Sequence, residues 1–178
     1  MKNKITSFPV VIFATLIFSA FSFVHSLDWK IKEGYQIKFS SETQTGVLNS
    51  LSGKIQFDEN NLPVSKFDMV VDAASINTGN GMKNTHAKGA DFLDVAQYPN
   101  ITFTSTSISK TEMGYSATGK LKIRGIEKEI TIPFTFTNNT FAGSFTVNRL
   151  DYGVGSTEGM TGKASKELKI DISVPVTK

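Results

Sequence analysis

A chain of 178 residues, 39% apolar and 20% charged, is long enough to bury one core. Its formal charge of +3 and its lack of any lysine–arginine run interleaved with aromatics exclude nucleic acid as an expected partner. With no cysteine and two histidines there is no disulfide framework, no lipid-modified N-terminal cysteine and no ligand set for zinc or copper, so neither metal nor cofactor is expected.

The N-terminus reads as a targeting segment. Lys2 and Lys4 precede an apolar run over 8–24, and Val24-His25-Ser26 offers a small-residue cleavage site before Leu27. An uncleaved anchor is the alternative. The run contains Pro9 and several hydroxyl residues and falls short of the roughly 20 residues of a spanning helix, which favours cleavage. The expected organisation is a signal peptide, 1–26, and one domain, 27–178, in the periplasm or outside the cell. Losing Lys2 and Lys4 takes the charge from +3 to +1.

Eight segments then alternate apolar and polar residues at period two, as strands with one buried face do. Residues 29–40 set Trp29, Ile31, Tyr35, Ile37 and Phe39 against Lys30, Lys32, Gln36 and Lys38. Residues 47–57 place Leu51, Gly53, Ile55 and Phe57 inward, and 64–72 place Phe67, Met69 and Val71 inward. After a long interruption, 100–106 supply Ile101 and Phe103, and 115–124 supply Tyr115, Ala117, Leu121 and Ile123. Residues 127–136 supply Ile130, Ile132, Phe134 and Phe136, and 141–149 supply Phe141, Phe145 and Val147. Asn138-Asn139 between them suits a tight hairpin, because Asn tolerates positive φ. A glycine-rich loop over 152–166 leads to 167–176, with Leu168, Ile170, Ile172, Val174 and Val176 inward.

Eight half-buried, mostly hairpin-linked strands favour closure, which removes unpaired edges. The expected fold is all-β: an eight-stranded antiparallel barrel with a short helical crossover between strands 3 and 4. Strand spacing alone also admits a two-sheet sandwich.

The interruption, 73–100, is the one stretch that breaks the alternation, and connections of that length are often lids or binding elements. Thr78-Gly79-Asn80-Gly81 signals a turn, and Asn80 is placed to cap a helix over 82–88 in which Met82 and His86 share a face. Asp91 is placed to cap a further turn carrying Phe92, Leu93 and Val95, which Pro99 stops.

Six motifs in order carry a resemblance. They are Ser75-Ile76-Asn77-Thr78-Gly79, His86, Asp91-Phe92-Leu93-Asp94-Val95, Tyr98-Pro99-Asn100-Ile101-Thr102-Phe103, Gly119-Lys120-Leu121-Lys122-Ile123-Arg124-Gly125 and Asn148-Arg149-Leu150-Asp151-Tyr152-Gly153. Together the chain resembles the YceI-like family of small bacterial, mostly periplasmic or secreted proteins. The resemblance implies a lipocalin-like barrel, in which some members hold polyisoprenoid lipids. Many members carry an Arg-Asp pair shortly before the crossover histidine and a Leu after it. Here Lys83-Asn84 and Ala87 stand there, and Leu93 replaces an aromatic. A head-group preference is therefore not carried over.

An eight-stranded barrel is either filled by its own side chains or holds one small ligand. Gly53, Ala117, Gly119 and Gly143 fall on the inward parity and are expected to leave volume. The expected lining is Phe39, Phe57, Phe67, Met69, Phe103, Leu121, Phe134, Phe136 and Phe145. Such a lining suits an apolar lipid, an isoprenoid or similar amphiphile, loaded through transient membrane contact; oligomeric state is left open. The opposing reading makes the glycines bulges or corners and the phenylalanines a solid core.

Head-group candidates are Arg149, His86 and Asn77, each with a blander role beside it: an ion pair of Arg149 with Asp91, Asp94 or Asp151, a hydrogen bond of His86 fixing the helix, and a turn for Asn77. Met82, Phe92 and Leu93 are the expected lid. Catalysis is not expected. No Gly-x-Ser-x-Gly elbow is present, and 153–159 miss the dinucleotide fingerprint. A lipid-modifying enzyme using His86 at the mouth, and a non-binding stress-related barrel, are the competing functions.

Overall fold

The computed structural model describes residues 27–159 and 161–178; the expected leader, 1–26, lies outside them. Eleven strands form one antiparallel sheet: β1 (Asp28–Ile31), β2 (Gln36–Ser40), β3 (Thr45–Leu48), β4 (Leu51–Gln56), β5 (Lys66–Asp72), β6 (Ile76–Asn77), β7 (Asn100–Thr111), β8 (Gly114–Ile123), β9 (Ile126–Thr137), β10 (Thr140–Asn148) and β11 (Glu167–Thr177). One helix, α1 (Gly81–Lys88), lies in the crossover.

The eleven make eight strands, three of them broken in two. β1 and β2 both pair with β11, and their partners β4 and β3 are likewise two halves of one run. β5 and β6 continue the same pattern against β4 and β3. From there β7 to β11 follow as successive neighbours, and the β1–β11 pairing closes the ring. The result is a closed, eight-stranded, up-and-down antiparallel barrel, and the sandwich is excluded.

The breaks lie side by side. Tyr35, between β1 and β2, donates its hydroxyl to Asn49 O at 3.0 Å and accepts from Leu51 N at 3.1 Å. Ser75, between β5 and β6, accepts at Oγ from Asn49 N and Ser50 N at 3.1 and 3.2 Å. The backbone groups that the broken ladders release thus find side-chain partners. A crease crosses three strands and separates a block of β1, β4 and β5 from one of β2, β3 and β6.

Seven aromatic side chains gather at one end. Phe57, 1% exposed, is surrounded edge-on by Tyr115, Phe134, Phe136 and Phe141 with ring centroids 5.2–5.8 Å apart. Phe67 joins them, and Trp29 closes the end with an edge contact to Phe136 and an indole bond to Phe57 O at 2.9 Å. Rings of this length reach across a narrow barrel and plug it. The sequence reading placed Phe57, Phe67, Phe134 and Phe136 around a tunnel; they belong instead to this plug.

The glycines are corrected too. A Cβ at Gly53 would sit 2.2 Å from Asp68 O, at Gly119 2.4 Å from Thr104 O, and at Gly143 2.6 Å from Pro133 O. Neighbouring backbone already occupies that space. Gly119 faces the β7 bulge between Ser105 and Ser107, so these residues permit close strand approach rather than hollow out the interior.

Candidate functional site

A cavity of about 530 Å³ opens beyond the plug, at the other end of the barrel. This lies within the roughly 300–1,000 Å³ of small-molecule sites. Its walls are apolar: Leu48, Leu51, Met69, Val71, Ile101, Leu121, Ile123, Ile170 and Ile172, with Phe39, Phe103 and Phe145 among them. The volume exists because these walls are mainly branched aliphatics, too short to meet on the axis. The Phe39 ring lies along β3, where a Cβ at Gly46 would stand 2.5 Å from its Cζ. Of the nine expected lining residues, Phe39, Met69, Phe103, Leu121 and Phe145 face this cavity.

Three segments form the mouth. The β2–β3 turn brings Thr43 and Gln44, the crossover brings Lys83, His86, Ala87, Phe92 and Leu93, and the glycine-rich loop brings Val154, Lys163 and Ala164. Asn80 caps α1 through Oδ1, which accepts from Lys83 N at 3.0 Å. Asn84 then ties the helix to the barrel: its Oδ1 accepts from Thr78 N at 2.7 Å and from Thr78 Oγ1 at 2.8 Å. Thr43 Oγ1 accepts from Ser165 N at 3.0 Å and bonds the Ser165 hydroxyl at 2.8 Å, joining the turn to the loop.

Helical spacing aims Lys83, His86 and Ala87, at i, i+3 and i+4, into the mouth. Met82 therefore points away and is 72% exposed, so it is no part of a lid. Phe92 and Leu93 line the cavity at its mouth, on hydrogen-bonded turns that Asp91 does not cap: Phe92 N donates to Gly89 O at 3.0 Å and Leu93 N to Ala87 O at 3.1 Å. Asn77 does not line the cavity. Its Oδ1 accepts from Gly79 N at 2.9 Å and makes a turn, so it is withdrawn as a head-group contact. His86 is exposed at the mouth, and no hydrogen bond fixes its ring among the described residues.

Arg149 is 4% exposed and among the described residues meets no carboxylate, so the expected pairing with Asp91, Asp94 or Asp151 is corrected. Its guanidinium donates instead to five backbone carbonyls. Nε reaches Ser165 O at 2.9 Å and Nη1 reaches Val154 O at 2.6 Å. Nη2 lies 3.1, 2.9 and 3.0 Å from Ser156, Thr161 and Ala164 O. Burial lowers its pKa from the ordinary arginine value, yet so basic a group stays charged. Arg149 therefore acts as the internal solvation centre of the glycine-rich loop, and the loop's carbonyls stand in for water. Gly155 lets the loop close over it: a Cβ there would stand 2.4 Å from Nη1.

Arg124 was missed as a mouth residue. It sits at φ 47 in the β8–β9 turn and donates to Gly153 O and, at 2.6 Å, to Ala90 O. It thereby holds the crossover and the glycine-rich loop together. Its place in the sequence, followed by Gly125, signalled a turn but not a clamp. Among the described residues no group of three or more His, Cys, Asp or Glu is placed to hold a metal.

Known proteins share this fold. The sequence model of the YceI-like domain matches residues 20–176. Protein YceI of Escherichia coli O17:K52:H18 is 35% identical over 128 residues, 67% of this chain, and the match spans 66% of that relative's length. BcnA of Burkholderia cenocepacia superposes with a TM-score of 0.73 at 28% identity, over 81% of this chain and 96% of that one. A polyisoprenoid-binding domain from Saccharophagus degradans, implicated in plant cell wall breakdown, has the same fold at a TM-score of 0.58 and 15% identity, over 84% of this chain and 97% of that one. Motif order, barrel closure and this likeness agree, and the chain belongs to the YceI-like domain family.

Proposed function

We propose that this chain is an exported lipid-binding protein that holds an isoprenoid, quinone-like or fatty amphiphile in the barrel interior. One observation carries the reading: an apolar cavity, plugged by aromatic rings at one end and rimmed by polar residues at the other. An elongated hydrocarbon fits that asymmetry, tail toward the plug and head at the mouth. Each CH₂ taken from water contributes about 0.8 kcal/mol, so a tail of several isoprene units binds without a hydrogen bond. The family, and the polyisoprenoid-binding domain of the same fold, support the ligand class. No chemical step is required; the ligand is sequestered or carried and released unchanged. Loading entails transient contact with a membrane.

Purified protein is expected to carry an extractable apolar ligand, seen as added mass by native mass spectrometry. Apo mass alone, with no uptake of added isoprenoids or fatty acids, would overturn the reading. F145R sets a charge in the cavity wall and is expected to abolish uptake, with circular dichroism verifying that the barrel persists. H86A is expected to leave uptake intact, whereas an enzyme at the mouth would lose turnover of a lipid substrate. Export is tested by N-terminal sequencing of secreted material, which is expected to begin at Leu27.

A further inference from the structure

The charged side chains of the cavity wall all carry one sign. Lys83 enters from α1, Lys163 from the glycine-rich loop and Arg149 from the end of β10, and among the described residues no Asp or Glu lines the cavity. This is not a consequence of composition. The 16 acidic residues of the chain all lie beyond the leader, nearly balancing its basic ones there. Glu42 and Glu158 sit on the same rim segments without reaching the cavity. Lys83 and Lys163 are exposed and enter no ion pair among the described residues, unlike Lys120, Lys128 and Lys169, which do. Arg149 adds a charge solvated by carbonyl dipoles but cancelled by no carboxylate. His86 supplies a further ring nitrogen at the same opening.

We propose that the mouth is a subsite for an acidic head group, a carboxylate or a phosphate, so that the ligand is an anionic long-chain amphiphile rather than a neutral one. The proposal rests on the lipid-binding reading of the cavity and specifies its polar end. The apolar wall excludes water on the inner side of the opening, so a head group placed there feels the two ammonium groups through a lower effective dielectric than bulk water offers. A lysine is also suited to this task geometrically. Its compact ammonium on a flexible stem meets carboxylate or phosphate without demanding a fixed plane. Arg149 contributes field rather than contact, since its donors are committed to the loop.

The test compares tails matched in length and differing only in head. Dodecanoic acid is set against dodecan-1-ol, and farnesyl monophosphate against farnesol, by titration calorimetry on the purified protein. Each acid is expected to bind roughly tenfold tighter than its alcohol, the size of one or two partly screened charge contacts. The advantage is expected to shrink as salt rises, because the groups are solvent-connected. In K83Q/K163Q, whose exposed side chains are not needed for folding, the ratio of acid to alcohol affinity is expected to fall toward one. Equal affinity of acid and alcohol, or a ratio unchanged by the double substitution and by salt, would overturn the subsite while leaving the lipid-binding reading in place. Failure of all four ligands to bind would overturn both. The two pairs also separate the head groups, because a preference confined to the carboxylate or to the phosphate names the acid.

Discussion

Arg149 shows how one side chain can organise a mouth without touching a ligand. Five carbonyls from 154 to 165 converge on its guanidinium, so the loop is built around a buried cation. Removing the cation leaves those acceptors without a partner, and the cost of such orphaned groups exceeds the net worth of the bonds. R149M is expected to lose about 3 kcal/mol of stability, read from the urea midpoint, with fast hydrogen exchange confined first to 153–166. R149K is expected to fall between the two, because three ammonium donors cannot reproduce the planar fork. Tyr152, 3% exposed in the same motif, reports on the loop from another side. Burial, and then the Asp151 charge, raises its pKa above the ordinary 10.0. The unfolded chain therefore gives up this proton more readily. The stabilisation is fully present below about pH 10 and is lost as pH rises through the higher folded value. A titration followed at the tyrosinate absorbance, with urea midpoints taken alongside, is expected to show late ionisation of Tyr152 and loss of stability over that range.

At the scale of elements, the barrel departs from simple alternation at its breaks and bulge. The crease through β1/β2, β3/β4 and β5/β6 is held by Tyr35 and Ser75, each spanning two strands. S75A leaves Ser50 N without its acceptor and Asn49 N with only the longer bond to Ser75 O at 3.4 Å, and is expected to cost about 1 kcal/mol in equilibrium unfolding. The bulge of β7 makes a different demand. G119A would press a methyl into the Thr104 and Ser105 backbone, which cannot rotate away as a side chain can. It is expected to cost about 1–3 kcal/mol, measured as a lowered thermal midpoint. Neither feature was read from the alternation, because each is a change of phase: the inward set steps from Leu48 to Leu51 and from Val71 to Ile76 across the breaks, and from Phe103 to Ile108 across the bulge. Asn80 was legible: a cap is a local event, and Asn before a short helix is the residue that the orphaned N–H groups call for.

The whole molecule divides into a plug that stabilises and a cavity that binds. Phe57 belongs to the first. F57A empties the centre of the ring cluster and is expected to cost about 3–5 kcal/mol, with Trp29, at the same end, reporting the loss by fluorescence. Below its lowered melting temperature it is expected to retain lipid uptake. F145R is the opposite case. Its ring stands in the cavity wall, so uptake is expected to vanish. If F57A abolished binding at temperatures where the barrel stays folded, plug and cavity would not be separable in this way.

Alternating residues determine which face of each strand is buried, a local consequence of the pleat. Eight such strands favour closure because it removes unpaired edges, but the pairing of β1 with β11, which only the tertiary structure supplies, decided the barrel over the sandwich. Motif order likewise sufficed to point to the family. Parity assigns a side chain to the inside but says nothing of its height along the axis. Phe57 and Phe145 were therefore indistinguishable on the page, though one fills the plug and the other lines the void. Strand stagger decides that, and stagger is a property of the closed ring. The partners of Arg149 were hidden for a related reason. Any carboxylate nearby in sequence looked suitable, whereas the loop's path brings only carbonyls within reach, and a buried cation takes whatever acceptors the backbone delivers.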